Sequence, residues 1–300
     1  MSRIAYVNGR YVPHRDARVH VEDRGFQFAD AVYEVIAIKA GALFDEAPHL
    51  ERLARSLREL KIKAPMSEAA LKAVMREVVR RNGIREGTLY LQISRGAAPR
   101  DFAFPKSARP SVVMTARHSR GPKPQLIEEG VGVITIPDIR WARPDIKTVS
   151  LLPNALGKQQ AREAGAYEAW QVDRDGNVTE GTSSNAWIVT AAGEIVTRKA
   201  DHSILNGVTR LDLIRLLEGE GLRFVERPFS VAEAKSAREA FLTSTTNFVL
   251  PVVRIDDTPI GNGYPGSLTR RLRQVYDAYA ERGAAPPLIR QDARDARSSG

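Results

Sequence analysis

Cysteine is missing altogether from the 300 residues. That excludes a disulfide framework, a thiolate metal site and a cysteine nucleophile. Long apolar runs are missing too. Nowhere do about 18 consecutive apolar residues occur, the length of a membrane-crossing helix. Met1 leads straight into Ser-Arg-Ile-Ala-Tyr-Val with no apolar signal core. A cytoplasmic protein with no membrane partner is therefore expected. No internal repeat and no nucleic-acid motif is found. The net charge of +9 is spread along the chain, with bases interleaved among acids. Its densest basic cluster, Thr-Arg-Arg-Leu-Arg at 269–273, falls on an amphipathic helix pattern and reads as a solvated helix face. No nucleic-acid partner is expected.

What is present suits a soluble globular protein. Hydrophobic residues make up 43% and charged residues 27%, enough for a sizeable core. The length suggests one large or two medium domains. Asn8-Gly9 between Ile4–Val7 and Tyr11-Val12 is a hairpin turn signal. Ala31–Ile38 reads as a strand, after a loop broken at Gly25. A helix follows from Pro48, with His49 and Arg52 on one face. Read alone, that pair is a polar patch facing solvent. A second helix runs from Glu68 to Asn82, capped by Ser67 and closed by Gly83. Thr88–Arg95 and Ser111–Ala116 are strands separated by a loop rich in breakers. Ser119–Pro124 reads as a linker, its prolines and glycine opposing regular structure.

The division expected is a small N-terminal α/β domain at 1–118, a linker at 119–124, a larger second domain at 125–283 and a disordered tail at 284–300. In the second domain strands are expected at 130–136, 168–172, 178–180, 186–190, 239–243 and 252–255. Helices are expected at 155–164, 211–218 and 267–280. Asp175-Gly176 and Asp256-Asp257 mark turns.

The chemistry centres on Arg140–Asn154. Charged or ring-constrained residues precede Lys147, and mostly apolar, β-compatible ones follow it. A lysine whose backbone is held while its amine enters a partly desolvated pocket loses its proton readily and attacks carbonyls. Two stretches suit a phosphate dianion. Gly207-Val208-Thr209 opens a helix, whose free N–H groups and dipole favour an anion. Ser244-Thr245-Thr246 follows a strand and is rich in hydroxyls. Read alone, each is more readily a plain helix cap or turn than a phosphate site. Arg52 adds a two-pronged countercharge. Glu180, where a strand breaks at Gly181, could keep a pyridine nitrogen protonated.

The motifs occur in a telling order: His-Leu-Glu-Arg-Leu around Arg52, Arg-Gly-Ala-Ala-Pro-Arg ending at Arg100, Asp-Ile-Lys-Thr with Leu-Leu-Pro-Asn, Thr-Glu-Gly-Thr-Ser-Ser-Asn, Leu-Asn-Gly-Val-Thr-Arg and Leu-Thr-Ser-Thr-Thr. Over residues 3–280 the chain resembles the fold type IV pyridoxal-phosphate enzymes, and within them the D-amino-acid aminotransferases. The resemblance implies a two-domain α/β (α+β) fold with pyridoxal 5'-phosphate between the domains, 125–283 being the cofactor-binding one, and a homodimer. It implies ping-pong transfer from D-alanine to 2-oxoglutarate, yielding pyruvate and D-glutamate. Lys147 would form the Schiff base and shuttle the proton, and Glu180 would face the pyridine nitrogen. Arg52, Val208, Thr209 and Thr245 would hold the phosphate, with Leu205 against the ring. Tyr33 and Arg100 match the positions that grip the substrate carboxylate. The D-specific pattern carries a histidine two residues after that arginine, where this chain has Phe102. That difference leaves branched-chain L-amino-acid or (R)-amine transaminases, or a lyase resembling aminodeoxychorismate lyase, as alternatives.

Overall fold

A computed structural model describes residues 3–283. Two β-sheets frame it. The first contains β1 (Ile4–Val7), β2 (Arg10–Pro13), β3 (Ala31–Lys39), β4 (Ala42–Leu43), β5 (Gly87–Ser94) and β6 (Ser111–His118), in the order β2-β1-β6-β5-β3-β4. All its pairings are antiparallel. Asn8 and Gly9, both at positive φ, turn the β1–β2 hairpin as expected.

Three helices accompany this sheet: α1 (Arg24–Phe28), α2 (Glu46–Glu59) and α3 (Glu68–Asn82). The α3 boundaries are those expected from the sequence. The Ser67 hydroxyl accepts from Ala70 N–H, and Gly83 closes the helix in the left-handed region. Leu50, Leu53 and Leu57 of α2 and Leu71, Met75 and Val78 of α3 bury one apolar face against Ile36, Leu89, Leu91 and Met114. The short α1 stands where a loop is expected. Asp23 accepts from Gly25 N–H and so caps it, and one turn is too little for periodicity to register.

The second sheet has nine strands: β7 (Val131–Pro137), β8 (Glu168–Val172), β9 (Val178–Gly181), β10 (Asn185–Val189), β11 (Ile195–Thr197), β12 (Phe224–Glu226), β13 (Glu239–Ser244), β14 (Phe248–Ile255) and β15 (Thr258–Pro259). They run β12-β11-β10-β13-β14-β7-β8-β9, with β15 paired to β14. The β7–β8, β7–β14 and β11–β12 pairings are parallel. Around it lie α4 (Pro124–Glu128), α5 (Leu152–Glu163), α6 (Val208–Gly219), α7 (Val231–Lys235) and α8 (Ser267–Gly283). Five of these elements, β11, β12, β15, α4 and α7, have no counterpart in the expected set, and each is only two to five residues long. Pro124, expected to oppose regular structure, instead begins α4, at the position where proline's missing N–H costs nothing. Likewise α5 starts at Leu152, three residues earlier than expected.

The two sheets share apolar contacts. Ala37 and Phe44 beside the first pack with Trp187, Leu213, Phe248 and Tyr276 of the second half. Chain connectivity passes from one sheet to the other between β6 and β7. Among the described residues no helix is long and apolar enough to cross a membrane. The tail expected to be disordered, 284–300, lies outside the described residues.

Candidate active site

Lys147 lies where the second half of the chain crosses β3. Its carbonyl accepts from Tyr33 N–H at 3.0 Å, and Val149 N–H donates to Ala31 O at 3.1 Å. One isolated bridge, Val32 to Thr148, sits between them. The backbone around Lys147 is thus held by β3 without belonging to a full strand. Asp145 braces the segment through Arg143 and Arg55. Burial raises the Asp145 pKa, but those two arginines outweigh it and hold the group at about 2. The Lys147 side chain is left to reach inward, with Nζ 4.3 Å from the Tyr33 ring centre.

It enters a cavity of about 260 Å³ between the sheets. Val208 and Thr209 line it at the start of α6. The first main-chain bond of that helix is Leu211 N–H to Gly207 O, so the helix itself leaves the preceding N–H groups free. Among the described residues no side chain caps the helix at Gly207. A Cβ there would sit 2.2 Å from Asn185 Oδ1, so only glycine lets the backbone approach so closely. Thr245 and Leu205 line the same cavity.

Arg52 projects into it from α2, anchored from behind. Its Nε and Nη2 donate to the two oxygens of Glu34 at 2.9 and 2.7 Å, and Nη1 donates to Asn206 O at 3.1 Å. His49 Nδ1 stands 2.8 Å from Glu34 Oε2. Burial lowers the His49 pKa further than Glu34 raises it, so the ring is neutral near pH 7. Burial pushes the Glu34 pKa up, but Arg52 and then His49 overcome that and hold it at about 2. The pair His49 and Arg52 is therefore a buried clamp on Glu34, not a solvent-facing patch. The sign of the linkage follows. Glu34 has an ordinary value of 4.5, so its contribution is complete above pH 4.5 and lost as pH falls towards 2. Glu34→Gln should cost roughly 3 kcal/mol at neutral pH. It should also flatten the fall in Tm between pH 4.5 and 3, measured by differential scanning calorimetry of both proteins. Parallel acid slopes would contradict this.

Glu180, at the end of β9, faces the cavity from the other side. It accepts from Asn185 Nδ2 at 3.0 Å and from Leu205 N–H at 3.1 Å, and pairs with Arg140. Burial raises its pKa, opposed by Arg140, the Leu205 N–H and the Lys147 charge. Arg140 is in turn held by Asp138, through Nε at 2.9 Å and Nη2 at 2.6 Å.

Among the described residues four cations, Arg52, Arg117, Arg140 and Lys147, line the cavity against one carboxylate, Glu180. An anionic ligand fits that balance, and a phosphate fits the free helix end. An amine and a carboxylate share the cavity, as a ring aldehyde with a basic nitrogen requires.

Residues 31–255 match the family model of amino-transferase class IV. The chain belongs to the class IV aminotransferases. It is 43% identical to the D-alanine aminotransferase of Bacillus licheniformis over 266 residues, covering 89% of this chain and 93% of that protein. It is 38% identical to the D-alanine aminotransferase of Staphylococcus haemolyticus over 276 residues, 92% and 97% of the two chains. The T.th. branched-chain amino acid aminotransferase, solved with pyridoxamine 5'-phosphate, superposes with TM-score 0.86 at 28% identity, covering 95% and 96%. The Escherichia coli branched-chain enzyme superposes with TM-score 0.87 at 22% identity, covering 96% and 98%, and speaks for the fold alone. Pyridoxal phosphate is the cofactor of this class.

In this aminotransferase the cavity brings together Lys147, Arg52, Glu180, Tyr33, Leu205, Val208, Thr209 and Thr245. Arg100 and Phe102 are elsewhere: both are exposed on the loop after β5, and neither lines the cavity of its own chain. Glu34 and Arg140 are site residues that the motifs do not reveal. Arg140 opens the stretch around Lys147, but its partner Glu180 lies 40 residues on. Glu168, buried under the loop after Glu180, escapes as well. Its carboxylate accepts from the Thr182 and Ser183 hydroxyls and from Ala169 N–H. A lone acid in an apolar strand was the available signal.

Proposed function

We propose that the chain is a D-amino-acid aminotransferase that passes the amino group of D-alanine to 2-oxoglutarate, forming pyruvate and D-glutamate in two half-reactions. The observation that carries this is the cavity with Lys147 and Glu180 opposed, in a chain 43% identical to a D-alanine aminotransferase over 89% of its length. When bound there, the cofactor supplies an electron sink for the pair left at Cα on deprotonation. The chain's own residues do the rest. Glu180 keeps a proton on the pyridine nitrogen. Lys147 takes the proton from Cα and returns it to C4′. Val208 and Thr209 N–H, the Thr245 hydroxyl and Arg52 hold the phosphate, and Leu205 packs on the ring. Glu34 and His49 fix Arg52 for that contact.

Tyr33 and Arg100 grip the substrate carboxylate. Arg100 does not reach the cavity of its own chain, so the grip needs a homodimer in which a second copy presents this loop. In this cytoplasmic enzyme 1–118 form the smaller domain, 119–124 the linker and 125–283 the cofactor-binding domain.

Phe102 favours a second reading with a broader donor range, since a ring there gives a carboxylate no hydrogen bond. Dependence on an acceptor separates a transaminase from a lyase. Beyond the first equivalent per site, pyruvate released from D-alanine by the holoenzyme should require 2-oxoglutarate and match D-glutamate one for one. Sustained pyruvate release without an acceptor would overturn the assignment.

A further inference from the structure

The loop that carries Arg100 has its own fastening. It leaves β5 after Ser94 and returns at Ser111. Its ends meet: Gly96 has φ +102, and a Cβ there would lie 2.0 Å from Arg109 O. Its root is tied to the segment ahead of β3. Arg24 N–H donates to Gly96 O at 3.0 Å and Ala98 N–H to Glu22 O at 3.3 Å, while the Ser94 hydroxyl donates to Asp23 Oδ2 at 2.8 Å.

One side chain fastens the tip. Arg24 is 3% exposed, beneath a loop that is itself exposed. Its Nη1 donates to the main-chain oxygen of Asp101, and its Nη2 to that of Phe102 at 3.3 Å. These are the two residues that follow Arg100. Its Nε donates to Asp30 Oδ2 at 2.8 Å. Asp30 is shared with Arg95, which donates to it through Nε at 2.7 Å and Nη2 at 3.0 Å. The Phe28 ring stands near two cations, its centre 4.7 Å from Arg24 Cζ and 5.2 Å from Arg100 Cζ.

A buried guanidinium is costly unless its N–H groups are used. Holding a loop down needs only apolar contact. Fixing two successive peptide planes needs a forked donor, and arginine has that shape where lysine does not. The planes fixed here, Asp101–Phe102 and Phe102–Ala103, are the two that follow the Arg100–Asp101 link, so they anchor the chain immediately beyond Arg100 and limit the poses it can take.

We propose that Arg24, oriented by Asp30, is a positioning residue that sets the pose of Arg100 and through it the grip on the substrate carboxylate. It touches neither substrate nor cofactor. The proposal rests on the reading above that Arg100 takes the carboxylate.

The test is a double-mutant cycle on the holoenzyme with D-alanine as donor, comparing wild type, Arg24→Met, Arg100→Ala and the double variant. Arg24→Met should raise KM at least about tenfold while changing kcat less than about threefold, as misplacement of a binding group does. The visible spectrum of the bound cofactor should be unchanged. In the Arg100→Ala background the same substitution should add less than about twofold, because its route of action is gone. Arg24→Lys keeps the charge on Asp30 but cannot fork, and should fall between wild type and Arg24→Met. It carries the test if the methionine variant does not fold. Additive effects in the cycle, or a wild-type KM in Arg24→Lys, would overturn the proposal. Arg100→Ala with an unchanged KM would instead sink the carboxylate reading on which it stands.

Discussion

Replacing Lys147 by alanine is expected to abolish transamination, lowering kcat on the order of 10⁴-fold or more, since covalent attachment and proton transfer go together. Among the described residues Lys147 is the one lysine lining the cavity. The contacts that hold its segment are main-chain ones, Tyr33 N–H to Lys147 O and Val149 N–H to Ala31 O, and alanine keeps them. The fold should therefore survive with a Tm within a few degrees of wild type. The cofactor should still bind through the α6 end and Arg52, but should be released by gel filtration more readily. Single-turnover and steady-state assays with D-alanine check the first point, and calorimetry checks the second. Turnover undiminished in the variant would exclude Lys147 as the reactive amine.

Arg100→Ala is expected to lower kcat/KM for carboxylate-bearing donors by about 10²-fold, the loss of one charge-assisted, two-pronged contact at roughly 1.5–3 kcal/mol. Simple (R)-amines have no carboxylate to lose and should change by less than about threefold. The effect arises although Arg100 stands off its own chain's cavity. Mixed dimers pairing an Arg100→Ala chain with a Lys147→Ala chain therefore discriminate. If the second copy supplies Arg100, the mixed dimer keeps one site that holds both intact residues, and D-alanine turnover at that site survives. If each chain supplied its own, no intact site would remain. Equal losses for amino acids and amines would show that Arg100 does not hold the carboxylate.

Much of this site is legible in residue order. The α6 opening Gly-Val-Thr, the Glu180 break and the Lys147 segment are local patterns, and all three meet in one cavity. Local cap chemistry sets α3 to the residue. The illegible parts share a physical cause: they are pairings across distance. Glu34 is 18 residues from Arg52, and β3 must lie against α2 before the two meet. Arg140 and Glu180 are 40 residues apart and meet only because β8 pairs with both β7 and β9 and so brings the segment after β7 near the end of β9. For the same reason His49 and Arg52 pass for a polar patch facing solvent, until an acid on the neighbouring strand buries both. Short elements such as α1, β11 and α7 leave too few residues for a period to show. The placement of Arg100 depends on a loop held by Arg24 from far back in the chain, as the Arg24 bonds to Asp101 and Phe102 span 77 and 78 residues.

The measurement that bears most directly on donor choice is a half-reaction on the yellow holoenzyme without any acceptor. D-Alanine and L-leucine are added in separate cuvettes, and the visible absorbance is followed. Loss of the yellow band with D-alanine and not with L-leucine is the expected result. Loss with L-leucine and not with D-alanine would contradict the D-amino-acid assignment and put the branched-chain reading in its place.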